Sequence, residues 1–368
     1  MKKQALNQAS LPYVVSVYCM TFNHSKYIVE AMDGFCLQKT DFPFVCTIID
    51  DASTDGEQDV INQYLQKHFD MSENSCVRNE ETDDYILTFA QHKTNKNCFF
   101  AVVLLKYNHY QIKKPKLQYL SEWRDHVRYI AWCEGDDFWV DPMKLQKQVD
   151  YMELHPDCTM TCSRAKLYSE KQQKYIGESY CYSKSQFVFP EDIIRRGGLY
   201  INSCSIIYRK EIKDNYPDYC KKCAVGDYPL QIMCAMKGCV YYFNEAMAVY
   251  RVENSSSWRG QQDINKVTCK RFNTILSEVN MFKGFSKDYP NYSTVFHDKI
   301  NHFICSNYPT RNKSHVIINS FLSLFEDDIL RMSYFWKTIL FLKKLNIPGV
   351  LTLFYPFTKK YIVLIDSK

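Results

Sequence analysis

The sequence predicts an α/β fold: an open, mostly parallel sheet flanked by helices, followed by a mainly helical C-terminal extension. Three observations lead there. Short β-rich runs alternate with amphipathic stretches from Val14 to Met152, and each run ends directly in a polar or acidic segment. Beyond Asn254-Ser255-Ser256-Ser257 the pattern changes to longer helical periods, which puts a boundary near residue 260. Alternation with short links implies parallel strands joined by right-handed crossovers.

The elements follow in order. Val14-Val15-Ser16-Val17-Tyr18-Cys19 reads as a buried strand that ends in Thr21-Phe22-Asn23-His24, with a helix from Lys26 to Leu37 after it. Phe44 to Ile49 repeats the pattern and runs into Asp50-Asp51-Ala52-Ser53-Thr54-Asp55-Gly56. The next helix carries Val60, Ile61, Tyr64 and Leu65 at helical spacing. Tyr129 to Cys133 is a third such strand, and Glu134-Gly135-Asp136-Asp137 follows it. Asp141-Pro142 then predicts a helix start, with Asp as N-cap and Pro in the first turn. Asn202 to Tyr208 reads as a strand, Asp227 to Lys237 as a helix, and Val240 to Phe243 and Ala246 to Arg251 as two closing strands. The stretch from about Asp70 to Arg128 contains the longest unbroken apolar run, Phe99 to Leu105, but shows no clear order of elements.

Composition narrows the function. With 46% hydrophobic and 24% charged residues the chain is globular, not disordered. The net charge of +5 is uneven: Arg331 to Lys368 holds seven Lys/Arg against Asp366 alone, so the body is close to neutral and gives no reason to expect nucleic acid. No N-terminal apolar run suits a secretory signal, and no segment reaches the length of a spanning helix. The expectation is a cytoplasmic protein. Its 16 cysteines, several inside apolar strands, read as reduced thiols, and the Cys220-x-x-Cys223 pair has no partner pair at zinc-ribbon spacing.

In a parallel sheet, ligands bind beyond the carboxyl ends of the strands. Asp50, Asp51, Glu134, Asp136 and Asp137 should therefore gather on one edge, where their mutual repulsion calls for a cation. Oxygen ligands without paired His or Cys favour Mg²⁺ or Mn²⁺, which commonly bridge carboxylates to substrate phosphates. Either acidic segment alone is also what an ordinary capped turn looks like.

Together, Val14 to Asn23, Ile49 to Gly56, and Cys133 to Trp139 followed by Asp141-Pro142-x-Lys144-Leu145-x-Lys147-Gln148 resemble the family 2 glycosyltransferases of the GT-A fold, over about residues 12 to 258. The resemblance implies a catalytic domain over 1–260 and a helical region over 261–368. It also implies a nucleotide-sugar donor, UDP-linked, and a metal-dependent inverting transfer to a glycan or lipid-linked acceptor, as in surface polysaccharide synthesis. Carried over by position, Phe22 packs on the base and Asp51 hydrogen-bonds it, with Asn23 beside them. The family's D-x-D element falls on Glu134, Asp136 and Asp137, which would hold the Mn²⁺ or Mg²⁺ and the donor diphosphate. Glu134 replaces the family's first Asp, so Asp136 and Asp137 are favoured. Gly226-Asp227-Tyr228-Pro229 matches the segment of the general base, Asp227. Tyr250-Arg251-Val252 matches a later element, with Glu253 where a histidine often stands.

The tail from about Ser333 mixes aromatics with lysines. This suits either an interfacial segment on an anionic membrane, on the cytoplasmic face of the inner membrane, or a helical cap on the catalytic domain. Two rival functions share some of these features. A nucleotidyltransferase would add a Gly-rich phosphate loop, which Thr21 to His24 lacks, and a non-catalytic nucleotide-binding adaptor would not need the acidic clusters.

Overall fold

The computed structural model describes residues 13–198, 200–253, 269–306 and 325–329. Two compact units are present. The described residues up to Phe189, with Gly198–Asn215 and the chain from Met233 to residue 253, form the first; Pro190–Gly197, Tyr216–Ile232 and the described residues from 269 onward form the second.

The first unit is built on one twelve-stranded sheet. Its centre is parallel: β6 (Tyr129–Trp132), β1 (Val15–Thr21), β2 (Phe44–Asp50) and β5 (Cys98–Leu105) lie side by side in that order. Beyond β5 come antiparallel β4 (Tyr85–Gln91) and β3 (Arg78–Glu81). On the other side, β11 (Ile207–Arg209) is antiparallel to both β6 and β8 (Cys158–Ser169), and β8 is parallel to β12 (Cys239–Val252). Two reversals cancel. The carboxyl ends of β1, β2, β5, β6, β8 and β12 therefore share one rim, and β7 (Phe138–Trp139), β9 (Lys174–Ser179) and β10 (Gln186–Val188) attach to β12 and β8.

Strand alternation divides the core between the two faces. Phe44, Cys46 and Ile48 of β2 join Phe100 and Val102 of β5 under the helices α1 (Ile28–Cys36), α2 (Glu57–His68) and α4 (Lys144–Leu154), whose Met32, Phe35, Ile61, Leu65, Leu145 and Met152 complete that layer. Val45, Ile49, Ala101 and Val103 face the other way onto Leu120 and Trp123, where a 3₁₀ turn ending at Leu120 runs into a short helix. Gly34 lets α1 lie directly on β7: a Cβ there would stand 2.8 Å from the backbone N and O of Trp139.

Several sequence expectations change. The unordered stretch holds β3, β4, β5 and the short helix α3 (Ser121–Arg124). β8 was not expected. The helix after Asp141-Pro142 is regular only from Lys144, with a turn at Pro142-Met143 in which Asp141 Oδ1 accepts the Met143 amide at 2.8 Å, as a cap does. Asn202 to Tyr208 holds a 3₁₀ turn over Ser203–Ser205, with strand only from Ile207. The two closing strands are one, since β12 absorbs Asn244-Glu245 as a bulge and keeps pairing with β8 on both sides of it. The cysteines from Cys19 to Cys239 are all free.

In the second unit, α5 (Pro190–Arg196), α6 (Asp218–Lys221), the first residues of α7 (Asp227–Lys237), α8 (Cys269–Asp288) and α9 (Ser293–Ser306) pack together. Tyr228 donates to the Ile194 carbonyl at 2.5 Å and sets its ring edge-on to Phe282, while Phe285 and Phe296 stack at 5.6 Å.

Candidate functional site

The rim shared by β1, β2, β5, β6, β8 and β12 collects the polar segments singled out in the sequence. Thr21 to His24 leave β1, Asp50 and Asp51 close β2, and Glu134 to Asp137 follow β6. Because β1 pairs with β2 on one side and β6 on the other, these segments are neighbours.

The β1 and β2 ends are fastened by Glu57, the first residue of α2. Its carboxylate is fully buried and accepts from the Thr21 hydroxyl, the His24 amide at 2.8 Å and the Ser53 hydroxyl at 2.9 Å. Burial outweighs these donors and raises its pKa to about 7. Asn23 adds a second fastening. Its amide N–H donates to Ser53 Oγ, and its side-chain oxygen accepts from the Thr54 amide, both at 2.8 Å. Asn23 and Ala52 both hold left-handed backbone, at φ 57° and 60°, a conformation that tight functional loops use more than regular elements do.

The β6 turn fits under the same segment. Gly135 has no room for a side chain, because a Cβ would run into the Thr21 side chain. Asp136 stays at the rim, 9% exposed, with one oxygen 3.9 Å from His24 Nε2. His24 is itself buried, which lowers its pKa despite the opposing pull of Asp136. Asp137 turns inward, 1% exposed, and accepts the Arg251 amide at 2.8 Å; burial first, and Asp136 second, push its pKa well above the usual range. Arg251 is the keystone. Its guanidinium donates to the Asp136 carbonyl at 2.5 Å and to Glu170 at 2.8 Å, pairs with Glu30, and lies between the Tyr27 and Phe138 rings.

Asp51 is enclosed from the β5 side. Its Oδ1 accepts the His109 amide at 2.8 Å, and its Oδ2 accepts the Tyr110 amide at 3.2 Å and the Lys116 ammonium at 2.5 Å. Asp50, beside it, serves the turn: one oxygen accepts from the Ser53 amide and Gln58, and the other is buried with no partner among the described residues.

The structure thus brings Phe22, Asn23, Asp51, Glu134, Asp136 and Asp137 to one rim. Asp227 belongs to the second unit, where it begins α7 half-buried and accepts the Tyr228 amide at 2.8 Å. Sequence reasoning missed Glu57, Lys116 and the organising role of Arg251. Glu57 directly follows the Asp50–Gly56 motif and could have been noticed as an acid in a first helical turn; Lys116 lies in the stretch without clear elements and gives no signal.

No cluster of three or more His, Cys, Asp or Glu side chains shaped for a metal exists among the described residues. The donor chemistry nevertheless fits a hard divalent cation, which needs only one or two carboxylates when substrate phosphates complete its shell. Asp136 offers that carboxylate at the rim.

No family model matches the sequence. The uncharacterized protein Rv1520 of Mycobacterium tuberculosis is 29% identical over 247 residues, 66% of this chain and 60% of that protein, and the uncharacterized protein Mb1547 of Mycobacterium bovis matches to the same extent. The alignment thus spans 60% of the length of these curated relatives. Among solved structures, S. aureus TarS 1–349 in complex with UDP superposes with a TM-score of 0.55 at 15% identity, covering 96% of this chain and 90% of that one. The complex with UDP-GlcNAc gives 0.55 at 14%, covering 96% and 91%. At such identity the likeness is one of architecture: the chain has the mixed α/β GT-A fold, a large, partly parallel sheet flanked by helices.

Proposed function

We propose that this chain is a metal-dependent, inverting glycosyltransferase that takes a sugar from a nucleotide donor, UDP-linked, and places it on a hydroxyl of a glycan or lipid-linked acceptor. The observation that carries the reading is the gathering of Asp51 and Asp136 on neighbouring loops of one sheet rim. The fold shared with TarS, crystallised with UDP and UDP-GlcNAc, supports it.

Each residue has a role under this reading. Asp51 accepts an N–H of the base, held in place by the His109 and Tyr110 amides, and Phe22, half-buried after Thr21, packs on the ring. Asn23 keeps the two loops together. Asp136 would hold a Mn²⁺ or Mg²⁺ ion, with Glu134 and Asp137 on the same turn; such an ion supplies Lewis-acid stabilisation of the departing diphosphate. Asp227, assigned on its motif, takes the proton of the incoming hydroxyl. Attack opposite the leaving group then inverts the anomeric carbon.

The test is thermal stabilisation of the full chain by UDP with and without Mn²⁺, followed by slow hydrolysis of a panel of UDP-sugars. Stabilisation that needs the metal, with release of UDP from one sugar nucleotide, is the expected outcome. Preference for a triphosphate would point to a nucleotidyltransferase, and no nucleotide response would sink the reading. A role in surface polysaccharide synthesis and peripheral attachment to the cytoplasmic face of the inner membrane extend the proposal. The tail invoked for attachment lies outside the described residues, among which no helix is long and apolar enough to cross a membrane. Equal partitioning of the full chain and a chain ending near residue 330 onto anionic vesicles would rule attachment out.

A further inference from the structure

A cavity of about 710 Å³ opens on the same rim, next to the Asp136–Asp137 turn. This lies within the range of small-molecule sites. Its base is Arg251, 5% exposed and already committed: both ring faces beside it are taken, by Tyr27 at 4.9 Å and Phe138 at 4.6 Å, and its donors go to Glu170, Glu30 and the Asp136 carbonyl. The outer wall is the β8–β9 hairpin. Tyr168 and Tyr175 meet edge-on there, centroids 5.3 Å apart at 77°, and Tyr175 leaves 54% of its surface uncovered.

Two features decide what such a wall can recognise. The three basic and three acidic side chains lining the cavity balance, and Arg251 is already ion-paired to Glu170 and Glu30, so the lining carries no net positive charge to favour an anion. Aromatic rings set beside carboxylates offer, in one place, faces for polarised C–H groups and acceptors for hydroxyls. Sugar rings present both. A purely apolar ligand would shut water away from Glu30, Glu170 and Glu253, whose protein partners leave acceptor positions open, and would offer nothing in its place.

We infer that this cavity is the acceptor subsite, and that it takes a neutral sugar unit stacked on Tyr175 and Tyr168 with its hydroxyls turned to Glu170. The inference rests on the proposed function and deepens it. Its position follows from the topology: the β8 and β12 ends stand on the same rim as the Asp136 turn, and Arg251 joins the cavity floor to that turn directly.

The experiment is saturation-transfer NMR on the full chain with UDP and diamagnetic Mg²⁺, against a pool of neutral trisaccharides (cello-, malto-, manno-, galacto- and chitotriose) and a matched pool of uronate and phosphorylated sugars at millimolar concentration. Expected is saturation of ring C–H protons in at least one neutral sugar, lost in Tyr175→Ala and kept in Tyr175→Phe. In a transfer assay with that sugar, Tyr175→Ala should raise the acceptor KM about ten-fold relative to the donor KM. Silence from the neutral pool, response from the anionic pool alone, or a neutral signal indifferent to Tyr175→Ala would overturn the inference. UDP stabilisation read on the same samples separates the two claims: its presence beside any of those results leaves the donor reading standing, and its absence sinks both.

Discussion

Glu57→Gln separates what the buried acid does by shape from what it does by charge. The carboxylate holds three donors from two loops, the Thr21 hydroxyl, the His24 amide and the Ser53 hydroxyl. Gln can keep all three contacts: its oxygen takes His24 and Ser53, and its NH₂ donates to Thr21 Oγ1, whose own proton can rotate toward His24 Nδ1, 3.2 Å away. The amide cannot titrate. In the wild type the pKa rises from the ordinary 4.5 to about 7 on folding, with burial as the main cause. Between those values the folded chain keeps a proton that the unfolded chain has lost, so the stabilisation is full below the unfolded pKa and disappears as pH climbs through 7. At about 1.4 kcal/mol per pKa unit the window is worth about 3 kcal/mol. Urea unfolding at about pH 5 and about pH 8, followed by the fluorescence of Trp123, Trp132 and Trp139 in the sheet unit, measures it. Asp137, whose pKa is also raised, has no direct link to Glu57 and contributes to both proteins, whereas Asp50 helps to raise the Glu57 pKa and belongs to the same effect. Wild type should lose about 2–3 kcal/mol more than Glu57→Gln across that range; equal losses would refute the claim that Glu57 takes up its proton on folding.

Other substitutions probe the same frame. Gly135→Ala drives a methyl into Thr21 and should cost about 1–3 kcal/mol, and should weaken stabilisation by UDP with Mn²⁺; an unchanged melting temperature would argue against the close approach. Arg251→Met strips Glu170 and the Asp136 carbonyl of their buried partner and should lower stability by about 3–5 kcal/mol in chemical denaturation. Asp227→Asn should leave UDP stabilisation intact and abolish sugar transfer, and normal turnover would remove Asp227 from the mechanism.

What was legible in the sequence and what was not follows one physical divide. The β1, β2 and β6 strands are runs buried on both faces, so hydrophobicity alone announces them, and the turn residues after each mark the rim. β8 is buried as well, but through Thr159, Thr161 and Ser163, and Thr159 satisfies its hydroxyl on the Cys234 carbonyl at 2.8 Å. Such a strand looks polar until its partners are known. The bulge at Asn244-Glu245 misleads in the opposite direction, since two polar residues imitate a turn while the pairing with β8 continues around them. Lys116 reaches Asp51 across 65 positions, a contact that only the assembled sheet creates.

The acidic doublets show a finer limit. Asp50-Asp51 and Asp136-Asp137 are each two identical side chains in sequence, yet each pair divides its labour. Asp50 and Asp137 face inward to hold a turn, through Ser53 and Gln58 in one case and the Arg251 amide in the other. Asp136 is left at the rim. Burial raises the pKa values of the inward acids, Asp50 and Asp137, and of Glu57 with them, and all three hold loops in place. Strong titration shifts here measure how much charge the rim buries to keep its loops together. It follows that loss of activity on truncating Asp50, Glu57 or Asp137 to Ala would say little about chemistry, because the contacts that hold the loops carrying Asp51 and Asp136 would go with them.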